Sequence, residues 1–441
     1  MQVVILAGGR GTRLGEQAQA IPKPMVTIGG RPNLEHQVLL AKRYGFSRVL
    51  ILTSHLADRI EAHFGDGQRF GMAISYCAEA PPLGTAGALR HASGLLDDSF
   101  VVLYGDVFVE CDLARLWAAH AKSRPIATLV VHPNDHPYDS DLVEADATGR
   151  ISAMHPKPRP ADQYLPNMVN AGVAVIERKI LDLIPPDRHL DLAIDIFPAL
   201  ARDHGLRAYR SGEYFKDFGT PDRLAHTRSD FEAGKPERLS RRSRRAAIFL
   251  DRDGVINEER SYISDPAQME LIPGAAAAIG RLNQAGFLVI VVTNQPVVAR
   301  GECTLEALQL IHNKMETLLG RERAWIDALY FCPHHPDQGF AGEVPELKVD
   351  CDCRKPKIGM FKRAIQDWNI SLSGSFGIGD SRRDVIAARR LGIGAIGVKT
   401  GHGCRDCGTA DAPDRLVEDL REAVDVILAS SDTAPIQGAQ L

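Results

Sequence analysis

The chain has 441 residues, 44% of them hydrophobic and 24% charged, with 52 Lys and Arg against 56 Asp and Glu for a formal charge of −4. That length exceeds one ordinary core and predicts two domains of roughly 200 residues each. The slight acidic surplus argues against a nucleic-acid-binding protein, and no run of about 18 apolar residues marks a membrane span. The stretch MQVVILAGG lacks the cationic-then-apolar pattern of a secretory leader, so a cytoplasmic protein is expected. Eight cysteines in a chain this long read as metal ligands or redox groups, not as a disulfide framework.

Short apolar runs alternate with helical patterns, which predicts an α/β fold. In the first half the strand candidates are VVILAG, RVLILTS, AISYCAE, FVVLYGD and IATLVVH. Between the first two, Leu34, Val38, Leu39 and Ala41 recur at helical spacing. From Leu142 to Val175 the pattern turns to hairpin-like strands around DATGR. Directly after the first strand comes LAGGRGTRL. Its Gly8, Gly9 and Gly11 let backbone N–H groups approach a triphosphate, and Arg13 adds a fork of donors for phosphate oxygens. The loop lacks the G-x-G-x-x-G spacing of a dinucleotide site. Lys23 follows, between two prolines that stiffen its backbone. Asp106 in LYGD and Asp217 in FKDFGTP each end a candidate strand, where α/β sheets bind ligands. Two acids there suit Mg²⁺ held against a triphosphate. Taken singly, each reads equally well as a loop cap.

Periodicity fails near EAGKPERLSRRSRRAA, which carries six basic residues between Lys235 and Arg245. Residues 233–245 are therefore expected to be a solvated interdomain linker, with a phosphate- or membrane-attracting patch as the competing reading. Strand candidates resume with AAIFLD, LVIVVTN, IDALYF, SFGIGDS and AIGVKT, and SSDTAPIQGAQL reads as a frayed tail. In AAIFLDRDGVIN an apolar strand delivers Asp251 and Asp253 to one loop, on the same side of an extended chain. One is placed to attack phosphorus and the other to protonate the leaving oxygen. Two adjacent carboxylates call for a cation, so Mg²⁺ is implied. Thr293 and Asn294 end the next strand as donors to phosphoryl oxygens. Lys355 is available to neutralise the transferring group, and Asp380, with Asp384 as a further candidate, lies beside the metal.

The stretch CPHHPDQGFAGEVPELKVDCDCRKP holds C-x-H, sixteen residues, then C-x-C. Three thiolates and an imidazole make a closed tetrahedral set suited to structural Zn²⁺. Cys332, Cys351 and Cys353 supply the sulfurs, and spacing alone leaves His334 and His335 as rivals for the nitrogen. A later C-x-x-C, Cys404 and Cys407, lacks two further ligands and reads as free thiols.

In the first half, GGRGTRL, PKP, PLGTAGAL, YGD, VNAG and KDFGTP stand in the order seen in sugar-1-phosphate nucleotidyltransferases, and the resemblance covers residues 1 to about 230. It implies a Rossmann-like, GT-A-like domain over 1–232 and attack by a sugar-1-phosphate oxygen on the α-phosphorus of a nucleoside triphosphate. By the same resemblance Gly8, Gly9, Gly11 and Thr12 bind nucleotide, Arg13 and Lys23 serve catalysis, and Asp106 and Asp217 hold Mg²⁺. Glu79, Gly84 and Thr85 would read base and ribose, and Asn170 and Gly172 the sugar. Where many members carry Glu-Lys-Pro this chain has HPKP, which keeps Lys157 for the sugar phosphate but lacks the acid that meets sugar hydroxyls. PLGTAG resembles mannose-1-phosphate guanylyltransferases and the related heptose enzymes, which implies GTP.

The second half is similar to the haloacid dehalogenase superfamily, over about 246–400 and without a large cap. FLDRDGVIN, TNQ, ARG, CPHHP and CDCRKP resemble heptose 1,7-bisphosphate 7-phosphatases, with histidinol-phosphate phosphatases next. This implies an aspartyl-phosphate at Asp251, Mg²⁺ on Asp251, Asp253 and Asp380, and zinc on Cys332, His334, Cys351 and Cys353. It also implies substrate contacts from Thr293, Asn294, Gln295, Arg300, Arg354 and Lys355. Pro296 stands where the family usually has Ser, which removes a hydroxyl and a backbone donor. The phosphatase domain is expected over 246–405 and a C-terminal helix and tail over 406–441. Together the halves imply one route: dephosphorylation of D-glycero-D-manno-heptose 1,7-bisphosphate, in its α form, then nucleotidyl transfer to heptose 1-phosphate. Mannose- or glucose-1-phosphate is the alternative sugar. The acids present in both halves argue against one being an inactive regulatory domain. Small-molecule substrates are the expected partners, and a homo-oligomer stays open.

Overall fold

The computed structural model describes residues 1–9, 21–160 and 162–431. The chain forms two compact units. The first comprises Met1–His132, Asp141–Pro156 and Met168–Arg242, and the second Pro133–Ser140, Lys157–Asn167 and the chain from Ser243 onward.

In the first unit, Gln2–Leu6 is the central strand, flanked in parallel by Ser99–Tyr104 and Arg48–Thr53. Ala73–Ala78 extends that parallel run. The inner strands are buried along most of their length, as continuous apolar runs demand in a sheet covered on both faces. The helix Asn33–Arg43 makes the first crossover and buries Leu34, Val38, Leu40 and Ala41. Val169–Glu177 then pairs antiparallel with Ser99–Tyr104 and carries the remaining strands on its other edge. A separate two-stranded ladder joins Val107–Glu110 to Tyr214–Asp217. The four parallel strands end at one edge, so the loops holding Gly8, Glu79 and Asp106 emerge together there.

The second unit has a six-stranded, all-parallel sheet in the order 328–332, 288–294, 245–250, 370–379, 394–398, 415–417. Helices cover both faces. Ala275–Ala285 and Leu420–Ser431 contribute to one buried cluster, and Gly359–Trp368 and Arg382–Leu391 to the other.

Three expected boundaries move. Residues 133–140 and 157–167, expected in the transferase domain, group with the second unit. There Asn167 N–H donates to Glu316 at 2.9 Å and Leu165 N–H to the Thr317 hydroxyl at 3.2 Å. The stretch 233–245 is not a free connector. Lys235–Leu239 forms a short helix with Pro236 buried, Ser240 donates to Glu110 at 3.2 Å, and Arg241 N–H donates to Glu213 at 3.1 Å. A five-residue helix is too short to show a period in sequence. Finally, the fold does not stop at 405. Arg415–Val417 is the sixth strand, and Leu420, Ala423 and Val424 are buried in the core. Among the described residues no helix is long and apolar enough to cross a membrane.

Candidate functional sites

The first unit opens a cavity of about 460 Å³ at the strand-end edge, within the range of about 300–1,000 Å³ usual for small-molecule sites. Of the predicted residues, Gly8, Gly9, Lys23, Glu79, Gly84, Thr85 and Asp106 line it. Gly11, Thr12 and Arg13 lie outside the described residues. A Cβ on Gly8 would come within 2.8 Å of the Glu79 carboxylate, so this approach requires glycine. Glu79 accepts from Leu83 N–H at 2.8 Å, and burial lifts its carboxyl above the usual range.

Lys23 is buried, with its ammonium 2.7 Å from Asp106. Asp217 sits beside this pair because its strand faces Val107 and Phe218 N–H donates to the Asp106 carbonyl at 3.3 Å. Burial opposes the charged form of Asp217, and the Arg223 guanidinium, 2.8 and 3.0 Å from its oxygens, prevails and holds the carboxyl below its usual range. Two acids and a buried lysine thus converge at one backbone junction.

Three lining residues with polar side chains escaped the sequence reading: Tyr104, His189 and Asp191. Asp191 accepts from both the backbone N–H and the hydroxyl of Thr85, at 3.2 and 3.0 Å. The Thr85 hydroxyl is therefore committed within the protein. Asn170, Gly172 and Lys157 do not line the cavity. Asn170 caps Gly172 N–H at 3.1 Å, and a Cβ on Gly172 would lie 3.2 Å from Tyr104. Lys157 donates to the Asp139 carbonyl at 2.7 Å and its carboxylate at 2.9 Å.

In the second unit Asp251, Asp380 and Asp384 each bring a carboxylate oxygen within 4.8 Å of one another. Lys355 is buried, with its ammonium 2.9 Å from Asp251, 2.6 Å from Asp384 and 2.8 Å from the Val292 carbonyl. Burial, followed by Asp251 and other charges, pushes the Asp380 carboxyl up to about 8. Burial also raises Asp251, against the pull of Lys355. One oxygen of Asp380 is buried without a protein partner. Three crowded acids, two of them with carboxyls raised by burial and one with an orphaned oxygen, fit a divalent cation.

Asp253 is held differently. Fully buried Arg252 donates to both its oxygens, and Asn257 and Gln295 add bonds at 2.9 and 2.8 Å. Burial works against its charge, yet these donors hold the carboxyl below the usual range. Gln295 therefore clamps Asp253 and also donates to Thr293 at 2.9 Å. Asn294 corrects the sequence reading. Its amide does not serve as a free phosphate donor, because it bonds the backbone of Lys355 in both directions. Pro296 opens a turn in which its carbonyl accepts from Arg300 N–H at 3.0 Å. Arg383, unassigned from sequence, is held above its ordinary value by Asp251, Asp384 and Asp380 against the effect of burial.

The ligand atoms of Cys332, His334, Cys351 and Cys353 all lie within 4.8 Å of one another, with the sulfurs 3.2–3.5 Å apart. That approaches the ~3.8 Å edge of a tetrahedron with Zn–S bonds of ~2.3 Å. His334 reaches Cys353 at 3.3 Å, whereas His335 Nδ1 accepts from Asp337 N–H at 3.2 Å. The donor set thus fits zinc and selects His334. Arg354 follows directly and donates to the His334 carbonyl at 3.3 Å. Cys404 is buried beneath Gly397, and Cys407 is half-buried; both thiols are free.

Comparison with known proteins finds a different family in each half of the chain. Residues 2–234 match the nucleotidyl transferase family, and residues 352–423 a HAD-hydrolase-like family. The first half is similar to the UTP–glucose-1-phosphate uridylyltransferase of Synechocystis sp., 35% identical over 223 residues, which are 47% of this chain and 57% of that one. It is also similar to the mannose-1-phosphate guanylyltransferase of Mycobacterium tuberculosis, 34% identical over 239 residues, 53% of this chain and 65% of that one. The chain thus spans less than two thirds of either relative. The second half is similar to the D-glycero-beta-D-manno-heptose-1,7-bisphosphate 7-phosphatase of Vibrio cholerae, 38% identical over 165 residues, 37% of this chain and 87% of that one.

Proposed function

Because this chain belongs to the nucleotidyl transferase family, and in its second half to the family of HAD-like heptose-bisphosphate phosphatases, we propose that it carries two consecutive activities. The second unit would remove the 7-phosphate of D-glycero-D-manno-heptose 1,7-bisphosphate. The first would then transfer a nucleotidyl group, GMP from GTP, to the resulting heptose 1-phosphate.

In the phosphatase step an Asp251 oxygen attacks phosphorus and the bond to the sugar oxygen breaks. Asp253, ionised among Arg252, Asn257 and Gln295 in the free protein, would take up a proton as the dianionic substrate binds, pass it to the sugar oxygen, and later receive one from the water that cleaves the aspartyl-phosphate. Lys355 offsets the charge on the transferring group, and Asn294 fixes where Lys355 sits. Bound Mg²⁺, held by Asp251 and Asp380 in the cluster they form with Asp384, would neutralise the acids and draw charge from the phosphoryl oxygens; the Asp253 carboxylate, expected from sequence as a third ligand, is instead committed to Arg252, Asn257 and Gln295. The single observation that carries this reading is the Lys355 ammonium, buried and within 2.9 Å of Asp251 and 2.6 Å of Asp384. Zinc on Cys332, His334, Cys351 and Cys353 would hold the loop that leads into Arg354 and Lys355.

In the transferase step a sugar-phosphate oxygen attacks the α-phosphorus and pyrophosphate leaves. No protein nucleophile is needed, so positioning and charge stabilisation supply the rate. Lys23 meets the phosphates, and Asp106 and Asp217 would hold a second Mg²⁺. Glu79 and the helix start at Gly84–Thr85 would read the nucleoside.

The test gives the whole protein heptose 1,7-bisphosphate, as α or β anomer, with Mg²⁺ and all four nucleoside triphosphates, and identifies the product by mass. GDP-heptose from the α anomer is expected. Phosphate release that survives Asp251→Asn would refute the phosphatase assignment. A nucleotide sugar formed from mannose 1-phosphate but never from heptose 1-phosphate would reassign the transferase.

A further inference from the structure

The loop after the second strand of the phosphatase sheet ends in Arg300, and its surroundings are unusual for a surface arginine. The guanidinium carbon lies 4.3 Å from the Tyr262 ring centroid and 4.5 Å from that of Phe340. Two aromatic faces at these distances hold a planar cation by stacking and cation–π attraction. The Arg300 Nε is buried and has no hydrogen-bond partner. Among the described residues no carboxylate pairs with Arg300. It is oriented without being neutralised.

The backbone keeps Phe340 in place. Gly301 adopts φ +74°, and a Cβ there would fall 1.8 Å from the Gly342 carbonyl oxygen. The loop bearing Arg300 and the cysteine loop bearing Phe340 therefore touch main chain to main chain. Val344 N–H donates to the Ala299 carbonyl at 3.1 Å, which closes the contact. Glu343 accepts from Gly339 and Phe340 N–H at 2.9 and 3.0 Å and so fixes the turn that presents the ring. A second cation, Lys348, lies 4.4 Å from the same ring and donates to the Asp337 carbonyl at 2.6 Å. Arg354 is within electrostatic reach of both Arg383 and Arg300, and burial together with these cations pulls it below its ordinary value.

We propose that Tyr262 and Phe340 are positioning residues that clamp Arg300 as a fixed receptor for the anionic group of the substrate that is not transferred. This rests on the bisphosphate reading above and adds what enforces it. Without the rings, a long flexible side chain would have to be ordered each time substrate binds, at the expense of affinity. The clamp acts on binding, because the remote anion keeps its charge throughout the reaction.

The test measures kcat and KM for a sugar 1,7-bisphosphate and for the same sugar 7-phosphate lacking the second phosphate. Tyr262→Leu and Phe340→Leu should each lower the kcat/KM ratio of bisphosphate over monophosphate by about tenfold, with the loss carried by KM. Tyr262→Phe and Phe340→Tyr keep a ring and should restore the ratio. In an Arg300→Ala background, Tyr262→Leu should lower the ratio no further, because the cation it serves is gone. Leucine variants that weaken both substrates equally, or that lower kcat alone, would overturn the clamp. So would a wild-type ratio in Tyr262→Leu. A wild-type protein indifferent to the second phosphate would overturn the substrate reading as well, and that outcome is visible before any variant is made.

Discussion

Asn294 and Lys355 exchange two hydrogen bonds. The Asn294 amide donates to the Lys355 carbonyl at 3.1 Å, and the Lys355 N–H donates back to the amide oxygen at 3.0 Å. This side-chain-to-backbone lock ties the end of one strand to the loop that follows the cysteine cluster, and it delivers the lysine ammonium to Asp251 and Asp384. Asn294→Ala should leave the fold intact and let Lys355 drift. Each lost bond amounts to about 1 kcal/mol, so kcat for phosphate release should fall at least about tenfold while nucleotidyl transfer is unaffected. An unchanged kcat would show that the lock is only structural.

Asp380 sets a pH dependence for cation binding. Its carboxyl is raised from 3.8 to about 8, chiefly by burial. Between those limits the folded, metal-free protein binds more protons than the unfolded chain. Its stability therefore falls as pH rises through that window, which reverses the trend for a salt-bridged acid. Mg²⁺ must displace the proton below pH 8, so its affinity should climb with pH, by up to about tenfold per unit. The measurement is the Mg²⁺-induced rise in Tm at pH 5.5 and 8.5. The rise should be larger at the higher pH, and Asp380→Asn should remove the difference. Equal rises in the wild-type protein would count against this account.

Much of both sites was legible because strand ends announce themselves. VVILAG, FVVLYGD, AAIFLD and SFGIGDS are apolar runs that stop at glycine or aspartate, and Gly8, Asp106, Asp251 and Asp380 stand at or just past the ends of parallel strands. The cysteine cluster was legible because four soft ligands recur at short spacing. What stayed hidden depended on distant partners. Thr-Asn-Gln reads as a row of phosphate donors, yet Asn294 is used by a residue 61 positions away, and Gln295 is used by Asp253. Asp191 enters the cavity from a loop with no strand before it, held by Thr85 across 106 positions. Residues 133–140 and 157–167 look like parts of a hairpin domain, and no local pattern shows that they pack with the helix Leu305–Arg321. The four-residue strand 107–110 was too short to read, though its pairing with 214–217 brings Asp106 and Asp217 together.

Lys23 gives the sharpest test of the transferase cavity. It is buried, it touches Asp106, and among the described residues it is the only lysine or arginine lining the cavity. Lys23→Met removes that charge while keeping most of the side-chain length. Pyrophosphate release should fall by at least about 100-fold, the scale of one charge-stabilising donor, and phosphate release by the second unit should not change. A parallel loss of both activities would indicate misfolding and not a role in catalysis.

Thr85→Val should act more gently. It removes the hydroxyl bond to Asp191 and the acceptor for Leu192 N–H at 2.8 Å. Asp191 keeps only the backbone bond from residue 85 and loses its fixed orientation in the cavity. KM for the nucleoside triphosphate or the sugar phosphate should rise about tenfold with kcat little changed, and the substrate whose KM moves identifies what Asp191 faces. If neither KM moves, Asp191 is a scaffold for the Gly84–Thr85 turn.

Removal of the zinc proposed for the cysteine cluster would separate the roles of its loop. The four ligands converge within 4.8 Å, and the residues after Cys353 are Arg354 and Lys355. Arg354 is bonded to the His334 carbonyl, inside the ligand set, whereas Lys355 has independent anchors in Asn294, Val292 and Asp251. Stripping zinc should therefore release Arg354 first and leave Lys355 and the acid cluster in place. The expected signature is a rise in KM for the bisphosphate at nearly constant kcat, with Mg²⁺ still raising Tm by the same amount. Cys351→Ser should reproduce it, since Cys351 is the less buried thiol at the edge of the cluster. Equal kinetics in zinc-free, folded protein would refute the loop's role in recognition. Loss of the Mg²⁺ response along with the zinc would show that the two metal sites share one folding unit.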